Sequence, residues 1–103
     1  MSNWILVGSL ADIPAQGARV VEHGGRRVAL FRTAEDEVYA LVDRCPHKGG
    51  QLSQGMVCGK RVTCPLHNWS IELASGQAVA PDVGQADGLP VRIEAGAVYL
   101  EAA

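Results

Sequence analysis

Apolar positions in this chain come in short β-branched runs broken by glycine, and nowhere do they recur at i, i+3, i+4 and i+7 as an amphipathic helix requires. The pattern predicts strands. "RVVEH" (19–23) and "RRVALFR" (26–32) flank Gly24-Gly25, whose tolerance of positive φ predicts a tight hairpin. "EVYALV" (37–42) follows the polar turn "TAED" and should pair back on the second run, giving a meander. Two more hairpins are expected, one where "GMVC" and "RVTC" flank Gly59-Lys60, the other where "LPVRIE" and "VYLEA" flank Ala95-Gly96-Ala97. "WILVGSL" (4–10) reads as a further strand and "LADIPAQG" (10–17) as a turn with about one turn of helix. "APDVGQADGLP" (80–90), rich in Pro, Gly and Asp, reads as a surface loop. Many short strands with tight turns predict an all-β fold of antiparallel sheets, a small sandwich or partly closed barrel.

Length narrows the picture: 103 residues make a single domain, 1–103, with a core small enough for a metal staple to help. A net charge of −2 argues against a nucleic-acid or polybasic membrane partner. No apolar run approaches a membrane span, and the start "MSNWILVGSLADIPAQG" lacks a basic n-region and a sustained apolar h-region, so a cytoplasmic location is expected. In a reducing compartment, three cysteines argue for metal binding or plain packing over a disulfide framework.

The chemistry concentrates in "RCPHKGGQLSQGMVCGKRVTCPLHNW" (44–69). Cys45-x-His47 and Cys64-x2-His67 each lie just past a predicted strand, with sixteen residues between His47 and Cys64. Structural zinc sites usually draw a cysteine pair from one knuckle and a histidine pair from another element. Here each loop supplies one of each. Zinc could accept the set, but the symmetric mixture suits a two-metal centre in which one metal takes both sulfurs and the other both nitrogens.

With Pro46, Pro65 and Gly49-Gly50 beside the ligands, the segment resembles a Rieske [2Fe-2S] domain. "CPHKGGQLSQG", "VTCPLHNWSIELASGQA" and "LPVRIEAGAVYL" together are similar to the small subunit of assimilatory NAD(P)H-dependent nitrite reductases, over most of the chain. The resemblance implies one [2Fe-2S] cluster held in a subdomain of about residues 43–83, with Cys45 and Cys64 on the buried iron and His47 and His67 on the outer one. It also implies a third covering loop at 80–90, with Pro81. Exchanging half the thiolates for neutral imidazoles removes negative charge from the oxidised cluster, which is why Rieske centres span about −150 to +300 mV against about −400 mV for plant-type clusters. High-potential members add a disulfide between the loops and two hydroxyl donors after the second histidine. The matching positions here are Gly50 and Leu66, and Trp69 and Ile71. A low-potential centre follows, at or below about −100 mV. Its imidazoles should stay protonated near neutrality and its midpoint should hardly change between about pH 6 and 8.

Other residues receive plainer readings. Cys58 is expected to pack as a small apolar residue, and His23 to sit at an exposed strand end. Trp69 is read as a shield or loop packing, Gly49 and Gly50 as tight backbone with amide donors near sulfur, and Lys48, Lys60 and Arg61 as solvated charge or a local positive patch. No nucleotide fingerprint, paired nucleophile or open metal position is present, so the chain is expected to move electrons and not to act as a catalyst itself. The resemblance implies, as partner, the large flavin and sirohaem subunit of a nitrite reductase that converts nitrite to ammonium. The rival readings are a ferredoxin working between a ferredoxin reductase and an aromatic-ring-hydroxylating dioxygenase, and a module in which the cluster only staples the fold.

Overall fold

The computed structural model describes residues 3–45, 50–65, 69–80 and 84–101. Among these described residues, ten strands form three antiparallel sheets. The first holds β1 (Trp4–Ser9), β10 (Ala97–Glu101) and β9 (Val91–Glu94) in that order; the second holds β2 (Ala18–His23), β3 (Arg26–Arg32), β4 (Val38–Val42) and β8 (Gly88–Leu89); the third holds β5 (Met56–Cys58), β6 (Arg61–Thr63) and β7 (Ser70–Glu72). Two 3-10 turns, Leu10–Asp12 and Leu52–Gln54, are the only helical elements among the described residues. None of the helical elements is long and apolar enough to cross a membrane. The sheets do not close into a barrel.

The turn chemistry places the hairpins where expected. His23 pairs with Arg26 across Gly24-Gly25, both at positive φ, and Cys58 pairs with Arg61 across Gly59-Lys60. The last hairpin is one residue tighter than predicted: Glu94 pairs with Ala97, so Ala95-Gly96 alone makes the turn.

The second sheet is the middle layer. From β3, Val28 and Leu30 join Ile13, Val38, Ala40, Val98 and Leu100 in one core, against the first sheet. Ala29 and Phe31 point the other way, into a second core with Leu41, Leu52, Val57, Val62, Ile71 and Leu73. Burial on both faces explains why β3 reads as a continuous apolar run and not an alternation. The third sheet covers the second core with the row Val57, Val62 and Ile71, while Cys58, Arg61 and Glu72 lie in a row of the alternate register.

Several expectations are corrected. Segment 80–90 is not all surface loop: Gly88–Leu89 pairs with Leu41 and Ala40, the Val42 N–H donates to the Asp87 carbonyl at 2.7 Å, and Ala86 is buried. The free edge of β4 recruits this backbone despite its turn-rich composition. Ser70–Glu72 forms a strand the pattern did not single out. His23 is buried, not exposed, because the end of β10 lies over it and its Nε2 is 2.8 Å from the Glu101 carbonyl oxygen. Cys58 is exposed, since alternation turns Val57 inward and leaves its neighbours facing outward.

Candidate metal centre

Of the four predicted ligands, the structure describes Cys45 and Cys64. His47 and His67 lie outside the described residues, as do Pro46, Lys48, Gly49, Leu66 and Pro81. Both cysteines are almost wholly buried, at 2% and 0% exposure, and both belong to the second core. They arrive there by different routes. Cys45 follows the end of β4 after Asp43 and Arg44, whereas Cys64 follows β6 directly, at the start of the β6–β7 connection.

The two loops close alike. The Cys45 N–H donates to the Gly50 carbonyl at 2.7 Å, and the Cys64 N–H donates to the Trp69 carbonyl at 2.6 Å. Each cysteine thus opens a loop pinned to the residue five positions on, and each loop's sequence carries one of the histidines. Two thiols buried together at the bases of matched loops fit a soft, thiolate-binding metal group. A bare thiolate in such a core would be costly, whereas metal binding removes the proton and neutralises the charge.

Trp69 is half-buried and packs on the same core as the cysteines, while Ile71 is 0% exposed within it. Neither side chain brings a hydroxyl to the second loop. Of the three basic residues read as solvated charge or a local patch, Lys48 lies outside the described residues, and the other two are exposed and paired: Lys60 Nζ lies 3.6 Å from Glu37 Oε1 and Arg61 Nε donates to Glu72 Oε1 at 2.9 Å. Arg44, beside the first cysteine, is exposed.

Sequence reasoning missed Asp43. Its side chain is 0% exposed, with Oδ1 accepting from the Ser53 N–H and Oδ2 from the Ser53 hydroxyl, each at 2.7 Å. Arg27 Nη2 lies 3.8 Å from Oδ2, and the Asp43 N–H donates to the Arg27 carbonyl at 2.9 Å. An aspartate between a strand and a cysteine looks like an ordinary loop residue, and its partner ten positions away follows no periodic signal.

Comparison with known proteins fits this geometry. Residues 3–91 match the model of the Rieske [2Fe-2S] domain. The ferredoxin component of the naphthalene 1,2-dioxygenase/salicylate 5-hydroxylase systems of Ralstonia sp. is 33% identical over 100 residues, covering 96% of this chain and 95% of that protein. Among solved structures, the chain superimposes on one in a complex of reduced oxygenase and oxidised ferredoxin in carbazole 1,9a-dioxygenase, with TM-score 0.82, 26% identity, and 95% and 92% of the two chains covered. A structure assigned as the small subunit of an NADPH nitrite reductase aligns with TM-score 0.84, 26% identity, and 95% and 97% coverage. This chain belongs to the Rieske [2Fe-2S] domain family, as an electron-transfer protein whose cofactor is a [2Fe-2S] cluster.

Proposed function

We propose that the chain is the Rieske subunit of an assimilatory NAD(P)H nitrite reductase, working in the cytoplasm beside a large flavin and sirohaem subunit. Cys45 and Cys64 would hold one iron of the cluster and His47 and His67 the other, within a subdomain of about residues 43–83 of a single domain, 1–103. When bound, the cluster supplies reversible one-electron transfer. The chain's own residues bury the two cysteines in the core and pin each loop at its base, and would shield from water whatever the two sulfurs hold.

The carrying observation is the pair of matched loops with a buried cysteine at the base of each. The nitrite reductase assignment is supported by "CPHKGG" and "CPLHNW" in those loops, and by the near-complete alignment with a structure given that role. A second reading, a ferredoxin delivering electrons to an aromatic-ring-hydroxylating dioxygenase, is favoured by the 33% identity to the Ralstonia component.

The test is reconstitution. Anaerobically purified chain, carrying iron and sulfide, is mixed with the flavin and sirohaem reductase from the same source, and separately with a Rieske oxygenase and its reductase. NAD(P)H-dependent conversion of nitrite to ammonium that requires this chain, and is lost in Cys45→Ala and His67→Ala, is the expected result. Turnover only in the oxygenase mixture selects the second reading. A midpoint clearly above zero would contradict the low-potential centre expected from Trp69 and Ile71.

A further inference from the structure

The two cysteine loops close alike but are fastened to the fold in different ways. The second loop is a hairpin connection: Thr63 and Ser70, which flank it, are register partners in the β6–β7 ladder, and their hydroxyl oxygens lie 3.4 Å apart. Strand pairing therefore fixes both ends of this connection. Among the described residues, the first loop has no ladder beneath it. β4 pairs with β3 and β8, and the chain after Gly50 enters the 3-10 turn Leu52–Gln54, which belongs to no sheet.

Asp43 occupies the place where a ladder would be. Two residues before Cys45, its carboxylate takes both the N–H and the hydroxyl of Ser53, three residues after Gly50, at 2.7 Å. The Asp43–Ser53 bonds thus enclose the Cys45–Gly50 bond and close the first loop a second time. The carboxylate is wholly buried, and such burial is costly unless each oxygen is bonded, as both are here. Arg27, itself largely exposed, gives the charge a partner at 3.8 Å and, through its carbonyl, holds the Asp43 backbone on β3.

We propose that Asp43 is the positioning residue of the first cysteine loop, its buried carboxylate clamping Ser53 so that the loop's two ends, Cys45 and Gly50, are held as firmly as the β6–β7 ladder holds Cys64 and Trp69. This rests on Cys45 being a cluster ligand. Loosening the clamp frees one side of the cluster's protein cage while leaving the other side anchored. The cluster should then be lost faster, and its surroundings should become heterogeneous.

The experiment uses the cluster-loaded chain. Wild type, Asp43→Asn, Asp43→Ala, Ser53→Ala and, as a control in the other core, Val98→Ala are incubated with excess iron chelator, and loss of the visible absorption is followed. Electron paramagnetic resonance line shapes of the reduced proteins are recorded alongside, with a thermal midpoint for each. Asp43→Ala should lose the cluster about tenfold faster than wild type or more, as expected for lost bonds to a charged acceptor, with broadened lines. Asn keeps an acceptor for the Ser53 N–H, so Asp43→Asn should recover most of the wild-type rate, with Ser53→Ala falling between. Val98→Ala should lower the thermal midpoint with little effect on release or line shape. If Asp43→Ala fails to fold, the Asp43→Asn and Ser53→Ala pair carries the same comparison. Release in Asp43→Ala or Ser53→Ala no faster than in wild type would overturn the proposal. So would release in Val98→Ala that matches the clamp variants at equal loss of stability. A wild-type chain that binds no [2Fe-2S] cluster would instead overturn the ligand assignment, before the clamp is tested.

Discussion

Gly55→Ala gives the sharpest test of the packing beneath β6, the strand that leads into Cys64. Gly55 sits at φ −80° and ψ 176°, a conformation open to any residue. On backbone grounds alone, alanine there should stabilise the protein by about 0.4–1 kcal/mol, by restricting the unfolded chain. Space reverses the sign. A Cβ at this position would lie 2.2 Å from the Thr63 carbonyl oxygen, 3.0 Å from Val62 Cγ2 and 3.1 Å from the Leu52 carbonyl oxygen. The closest of these is backbone, just ahead of Cys64, so relief requires β6 to move by about 1 Å toward ordinary contact. Overpacking typically costs about 1–3 kcal/mol, and a clash with backbone belongs at the upper end. After the unfolded-state gain, a net loss of about 2 kcal/mol remains, or about 8–16 °C in Tm for a domain of this size. Gly25→Ala is the reference, with φ +77° and open space around the added Cβ. It bears only the left-handed backbone cost of about 1–2 kcal/mol, partly offset by the same unfolded-state gain. Thermal unfolding of the loaded protein by circular dichroism, with urea titrations as a check, should rank Gly55→Ala as the more damaging change. A Gly55→Ala midpoint at or above wild type, or above that of Gly25→Ala, would refute the reasoning.

Two further outcomes follow from burial and charge. Cys58 is exposed while Cys45 and Cys64 are buried, so a maleimide should label native loaded protein at Cys58 within minutes. Mass spectrometry should find the other two modified only after unfolding. Asp12 is held below its ordinary value of 3.8 chiefly by the Ser9 backbone N–H, with help from the Ser9 side chain and the Arg19 guanidinium. A depressed carboxyl stabilises the fold above its unfolded pKa and loses that contribution as pH falls through the folded one. The stability gap between wild type and Asp12→Asn should therefore be full at neutral pH and close as a urea titration series is taken below about 4.

What could be read from the chain was whatever its neighbours in sequence decide. Gly24-Gly25 and Gly59-Lys60 announce hairpins because the turn itself selects the residues, and both registers follow. The placing of Cys45 and Cys64 just past strands was legible for the same reason, since β4 and β6 are local runs that end at or shortly before each cysteine. The misreadings concern residues whose environment is supplied from far away. His23 is buried by the carbonyl of Glu101, 78 positions distant, and Gly88–Leu89 becomes a strand because β4 has an edge to fill. Asp43 belongs to the same class: its role depends on Ser53, and a Cys-x-His motif says nothing about what holds the loop shut. Cys58 failed differently. Treating cysteine as a small apolar residue overrode the alternation that turns Val57, and not its neighbours, toward the core.

The packing of the third sheet also bears on the electrochemistry. Ile71 is fully buried in a cross-strand row with Val62 and Val57, so an aliphatic side chain at this position is part of what holds β5, β6 and β7 to the middle layer. A hydroxyl-bearing aromatic in its place would have to displace that row and find a partner for its O–H inside a close-packed core. Trp69 is tied in as well, through its carbonyl to the Cys64 N–H and its ring to the same core. Hydrogen bonds from hydroxyl groups to a bound cluster would favour the reduced state, and at these two positions the fold uses the side chains for apolar packing instead. The low potential expected from these two positions and the close packing of the third sheet thus rest on the same residues. Raising the potential at position 71 by introducing a hydroxyl should therefore reduce stability, because the donor cannot be added without removing core.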